Sequence, residues 1–278
     1  MGKGFEGMQA EDWGEIEGPA LLFGGPVGNL QALEALQAEA RAAGVGPEHW
    51  ICTGDLAAYC GDPGAVMARA RALGFRCIKG NMEEALGAGD AGCGCGFDAG
   101  TACDLLSRAW YARCTAETTP RIAAWMAGLP ARAVFRQAGR RFAVIHGGAT
   151  QTARFLWPVT AEAELAAEIA AVEAQVGPVD GVVCGHSGLP FVREVAGALW
   201  INAGTLGMPP HDGDPRTAFA WLDGGRPRLE RLAYDHAAAA RSMRAAGLTQ
   251  GYDAALHSGW WPSEDVLPSA LRRPVAAE

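Results

Sequence analysis

Trp50-Ile51-Cys52-Thr53-Gly54-Asp55, followed after a helical segment by Arg76-Cys77-Ile78-Lys79-Gly80-Asn81-Met82-Glu83, is the stretch whose reading decides the fold. Each half is a short β-prone run that stops at a glycine. Each glycine is followed at once by a side chain whose oxygen can ligate a cation. Strand, helix and strand in that order imply parallel pairing through a right-handed crossover. Parallel strands bring their carboxyl ends to one rim of a sheet, which is where open α/β sheets bind ligands. Asp55 and Asn81 are therefore expected to be neighbours in space.

Working outward, Ala20-Leu21-Leu22-Phe23 suits a buried strand and ends at Gly24-Gly25-Pro26-Val27-Gly28. Asn29 is placed to cap a helix that carries Leu30, Leu33, Leu36 and Ala40 at helical spacing. Residues 65–73 suit a second helix and 75–79 a strand, which completes a β-α-β-α-β series. Residues 87–100 read as a glycine- and alanine-rich loop of the kind that lies over sites. Helices are expected over 103–114 and 119–127. A hairpin follows around Ala138-Gly139-Arg140, and its second strand stops at His146-Gly147-Gly148. A helix over 161–175 leads to Gly181-Val182-Val183-Cys184, which stops at Gly185-His186-Ser187-Gly188. Short antiparallel strands over 191–195, 198–201 and 218–222 come next, then a helix over 234–246 and a tail with Trp260 and Trp261. Residues up to Gly18 show no period and read as a loosely attached lead-in. With no repeat and no linker, 1–278 reads as one domain, with an insert at about 87–130 and a helical extension at about 234–278.

Bulk properties narrow the function. A chain of 278 residues that is 49% hydrophobic buries a substantial core. A formal charge of −8 argues against a general nucleic-acid surface. No apolar run reaches about 18 residues, so no membrane span is expected. The start, Met1-Gly2-Lys3-Gly4-Phe5-Glu6, lacks the basic-then-apolar form of a signal peptide, and a cytoplasmic protein is the expectation. Of eight cysteines, Cys52, Cys77 and Cys184 fall in strands and read as small hydrophobes. Cys93 and Cys95 sit in the glycine-rich loop. Without paired C-x-x-C spacing, the thiols are expected to be reduced and structural.

Strand ends thus deliver Asp55, Asn81, His146 and His186, each beside a glycine. Two imidazoles, a carboxylate and an amide oxygen make a sensible set for Mn, Fe or Zn. Singly, each has a plainer reading as a hydrogen-bonded structural group. Together, Gly54-Asp55, Gly80-Asn81, His146-Gly147 and Gly185-His186 resemble the motifs of the calcineurin-like metallophosphoesterases, in their compact bacterial phosphodiesterase-type branch. The resemblance covers roughly residues 20–222, including Asn202-Ala203-Gly204-Thr205-Leu206-Gly207 and Asp212-Gly213-Asp214-Pro215-Arg216. It implies a four-layer α/β/β/α sandwich of two mixed sheets, with a metal site at the carboxyl ends of the strands.

Departures from that family fall on one side of the site. The family's first strand ends in Asp-x-His, where this chain has Gly25 and Val27. Its fourth motif ends in a second His, where this chain has Gly188. Those side chains hold one of the family's two metals. The resemblance assigns the other to Asp55, Asn81, His146 and His186, so one divalent metal per chain is expected. A His that often follows the motif Asn is replaced by Met82, which leaves Glu83 as a candidate for proton transfer. The Gly25, Gly28 and Asn29 loop enters a helix N-terminus and is a candidate anion cradle, set against a plain tight turn. His211 and Arg216 are further candidates for touching a substrate anion.

The leading expectation is a metal-dependent phosphoric ester hydrolase, slow or altered, acting on a small-molecule phosphoester. The alternatives are a non-catalytic relative that binds a metal or nucleotide as a sensor, and a structural protein whose four polar residues bond one another. An exposed Trp260-Trp261 tail would offer a contact surface for a homo-oligomer.

Overall fold

The computed structural model describes residues 10–273, and their first element is an edge strand, β1 (Glu11–Glu15). Its sequence, Glu11-Asp12-Trp13-Gly14-Glu15, has no apolar alternation. The lead-in reading is therefore corrected from residue 10 onward: backbone pairing with residues 133–136 holds this strand, and Trp13 and Ile16 reach the core. The first part of that lead-in, including the stretch read for a signal peptide, lies outside the described residues.

β2 (Ala20–Phe23), α1 (Leu30–Ala42), β3 (Trp50–Cys52), α2 (Pro63–Leu73) and β4 (Arg76–Cys77) form the β-α-β-α-β series. The strands pair in parallel, with Phe23 opposite Cys52 and Cys52 opposite Cys77. β4 is shorter than the expected 75–79, because α3 (Asn81–Ala88) begins almost at once. α4 (Ala102–Glu117) and α5 (Pro120–Ala127) are capped by Thr101 and Thr119, whose side chains accept the N–H of Asp104 and Ile122. β5 (Ala133–Gln137) and β6 (Arg140–Val144) form the expected hairpin. Ala138 and Gly139 between them both take positive φ, as two-residue hairpins of this kind demand.

α6 (Glu162–Val176), β7 (Gly181–Cys184), β8 (Pro190–Val195), β9 (Ala198–Ala203) and β10 (Thr217–Asp223) follow, then β11 (Arg226–Leu232), α7 (His236–Ala245) and α8 (Tyr252–Ser258). β11 and α8 carry no strong sequence signal. β11 is a charged edge strand with a proline, the composition that guards a sheet edge.

One sheet runs β1-β5-β6-β7-β9-β8 and the other β11-β10-β2-β3-β4, and both mix parallel and antiparallel pairs. Successive side chains of a strand point to opposite faces. In β3, Trp50 and Cys52 meet the helices while Ile51 faces the other sheet. In β7, Val182 and Cys184 pack with α6 residues Leu165 and Ile169, and Val183 faces inward. Burial on both faces is why these runs read as continuously apolar. The product is a four-layer α/β/β/α sandwich of two mixed sheets. No described helix is long and apolar enough to cross a membrane.

The inner layer, with Leu22, Ile51, Phe135, Val144 and Ile201, fixes how the two sheets meet and so which strand ends share a rim. Leu22→Ala should lower the unfolding free energy by about 2–5 kcal/mol in urea denaturation. A smaller loss would mean that this layer does not carry the sheet-to-sheet contact.

Candidate metal centre

β3, β4, β6 and β7 end at one rim, two from each sheet, and the four side chains singled out in the sequence converge there. His146 is the hub. Its Nδ1 donates to the Thr53 carbonyl at 2.6 Å, which fixes the tautomer of the neutral ring and leaves Nε2 as a lone pair. Around Nε2 lie Asn81 Oδ1 at 3.0 Å, His186 Nδ1 at 3.1 Å and Asp55 Oδ2 at 3.3 Å. Asn81 turns its oxygen inward because its Nδ2 donates to the Cys93 carbonyl at 2.9 Å. Among the described residues, Asp55, His146 and His186 form the one cluster of acidic, histidine or cysteine side chains close enough to share a cation.

Such crowding of lone pairs needs a positive charge at its centre. Burial disfavours charge on His146, but the Asp55 carboxylate outweighs it and raises that pKa to about 9. Asp55 is pushed up by burial, yet His146 brings it below the usual range. Burial and the neighbouring charge of His146 lower His186 to about 3. A single proton on His146 thus serves three acceptors in the ion-free chain. The set also fits a divalent cation, since separations near 3 Å are those of donors each roughly 2 Å from one small ion.

Backbone strain marks the same place. Asp55 and His186 both sit at φ 60, a region few non-glycine residues adopt. Glu83 holds the strand ends in that arrangement. It is fully buried; Oε2 accepts the N–H of Asp55 at 2.7 Å and of Gly80 at 2.8 Å, and Oε1 that of Leu56 at 2.8 Å. With both oxygens engaged by the backbone, Glu83 braces these strand ends. Met82 is buried and gives its N–H to Asp55 Oδ1 at 3.1 Å. On the other sheet, Asn202 bonds Gly185, Ser187 and Gly204 and so fixes the loop that carries His186.

The candidate anion cradle is not formed. The N–H groups of Val27, Gly28 and Asn29 go to the carbonyls of Asp55, Leu56 and Pro26. Asn29 caps α1 through Ala32 and donates to the Gly207 carbonyl, buried throughout. Gly25 is a close-packing glycine, since a Cβ there would lie 2.5 Å from the Asp55 carbonyl oxygen. The tight-turn alternative describes this loop. His211 is also drawn elsewhere: Nδ1 accepts the Trp261 N–H at 2.8 Å and Nε2 donates to Glu264 at 2.8 Å, so it pins the C-terminal tail. Arg216 pairs with Asp214 on the surface.

Three features escaped the sequence reading. Phe155 lies against the His186 ring, with centroids 4.4 Å apart. Trp261 comes from the far end of the chain to pack at Gly188 and is half-buried there. Cys93 and Cys95 are joined as a disulfide, which corrects the expectation of reduced thiols for this pair; the other six cysteines are free and buried. Only Phe155-Leu156-Trp157, an apolar run in a loop, offered a sequence signal. Glu83→Gln replaces one acceptor oxygen with a donor facing a backbone N–H. It should cost roughly 2–3 kcal/mol of stability in urea denaturation, and an unchanged midpoint would remove the bracing role.

The sequence from residue 29 to 224 matches the family model described as the calcineurin-like phosphoesterase superfamily domain. No curated protein sequence matches the chain. A solved metallophosphoesterase from Sphaerobacter thermophilus is similar in fold, with TM-score 0.67 and 21% identity, over 88% of this chain and 100% of that one. A hypothetical protein from Pyrococcus horikoshii OT3 gives TM-score 0.70 at 14% identity, over 88% of this chain and 99% of that one. The family match spans most of the chain and includes all four strand-end motifs: the chain belongs to the calcineurin-like phosphoesterase superfamily.

Proposed function

We propose that this protein is a metal-dependent phosphoric ester hydrolase working with one divalent ion, Mn, Fe or Zn, held by Asp55, Asn81, His146 and His186. The observation that carries the reading is the convergence of three of their donor atoms around the fourth, His146 Nε2, with the tautomer set by Thr53. A divalent ion in such a set supplies Lewis acidity toward a phosphoryl oxygen and acidifies bound water. Asp55 contributes the negative charge, while the two imidazoles and the amide keep the set nearly neutral.

One ion per chain is supported by what stands in the other half of the site. Val27 occupies its position at φ 43, which is strained for a β-branched residue, and is buried. The Gly25 backbone approaches Asp55 too closely for a side chain. Trp261 abuts Gly188. With Met82 in place of a proton donor, the site relies on leaving groups that depart without protonation. Slow turnover on ordinary alkyl esters follows.

Elemental analysis of the purified protein, paired with hydrolysis of p-nitrophenyl phosphate and bis-p-nitrophenyl phosphate with added Mn, tests this. Expected are about one metal per chain and turnover that Asp55→Ala abolishes together with the metal. Metal without turnover would favour the non-catalytic sensor reading, and no metal would sink both. The double variant Gly25→Asp, Val27→His should lower the melting temperature and add no second equivalent. A gain of metal and rate would show that the vacated half is still open to ligands.

A further inference from the structure

We infer that the cavity beside the metal centre, bordered by His186 and Gly188, is an aromatic binding pocket, which selects phosphoesters with a planar aromatic ester group and a low charge. This rests on the proposed phosphate position at the Asp55–His186 cluster. A cavity of about 60 Å³, or about 520 Å³ with the open space around it, has His186, Ser187 and Gly188 along one side. It is thus built on the same loop that delivers a candidate metal ligand. His186 borders both the cluster and the cavity.

Its walls are aromatic. Phe155 lies on the His186 ring and stacks on Trp157, with centroids 5.3 Å apart and planes within 2°. Phe97, from the loop before α4, stacks on Phe155 with centroids 6.2 Å apart. Tyr59 and Tyr252 face each other at 4.8 Å and close the far side. Trp261 supplies the wall at Gly188, where a Cβ would stand 3.1 Å from Cζ2 and 3.3 Å from Cη2 of its ring. The indole is held in place from both ends: its backbone N–H goes to His211, and Nε1 donates to the Pro209 carbonyl at 2.7 Å. The wall is therefore set before any ligand arrives.

Charge sets the ligand class. Neither Lys nor Arg lines the cavity, whose polar groups are mainly the hydroxyls of Ser187, Thr205 and Ser263. A polyphosphate would enter uncompensated, in a chain of formal charge −8. One phosphate at the cluster with an aromatic ring against apolar walls satisfies both parts of the site. Ring burial of this kind is worth about 1.5–3 kcal/mol, or tenfold or more in affinity. Aryl esters also suit a site without a proton donor at Met82, since a phenolate departs unaided.

The test uses the purified full chain loaded with Mn for affinity, and with Zn for spectra, and compares phenylphosphonate with methylphosphonate, neither of which is hydrolysed. The indole N–H resonance of Trp261, assigned with Trp261→Phe, should shift with phenylphosphonate and not with methylphosphonate. Calorimetry should show the phenyl compound binding at least about tenfold more tightly. Val266→Trp, which adds bulk to the cavity lining, should erase that preference and leave methylphosphonate binding unchanged; should it not fold, Ser263→Phe adds bulk to the same lining. Equal affinities, or a preference that survives the added bulk, would overturn the inference. Because these readouts need no turnover, a preference without hydrolysis removes only the hydrolase reading, and hydrolysis without preference removes only the pocket.

Discussion

Three backbone N–H groups on one buried carboxylate organise this site. Glu83 gathers Asp55, Leu56 and Gly80, and so ties the end of β3 to the start of α3. That tie holds Asp55 in its left-handed conformation and sets Asn81 at the first turn of a helix, beside it. A buried carboxylate is costly unless its oxygens are satisfied, and burial together with Asp55 does raise the Glu83 pKa above the usual value. The hydrogen bonds from the backbone oppose that rise, so the same contacts that locate the ligand candidates also keep Glu83 in place.

From that clip the site divides into two unlike halves. On the His146 side, three donor atoms meet around a fourth, the His146 nitrogen, and each is oriented by a second contact: Thr53 for His146, Cys93 for Asn81, Met82 for Asp55, and the Asn202 network for the loop of His186. On the other side the chain has closed over. Val27 is buried, Gly25 touches the Asp55 backbone, and Trp261 stands at Gly188. The asymmetry is built into the packing and is not a gap left by missing side chains. The surrounding sandwich is the one shared with the superfamily.

Much of this was legible in the sequence because strand ends carry a strong local signal. An apolar run, a glycine and a polar side chain recur at Asp55, Asn81, His146 and His186, and the fold needs that order of residues to turn the chain at the rim. Val134, Phe142 and Val183 read as strand because both faces of their strands are buried. β1 and β11 did not, since an edge strand rests on backbone pairing with charged side chains outward and leaves no apolar alternation to find. Glu83 was singled out by its type, which suggested acid–base work, and only its partners reveal a brace. His211 was singled out in the same way.

By itself, then, the sequence determined the sandwich, the family and the four polar residues that reach the rim, because each depends on local runs and on the order of elements. Only the tertiary structure decided what surrounds them. The Trp261 indole at Gly188, the Phe155 ring on His186 and the Cys93 carbonyl on Asn81 join segments far apart in the chain. No local period encodes such contacts, since they arise where separate loops fold over one rim and exclude water from it.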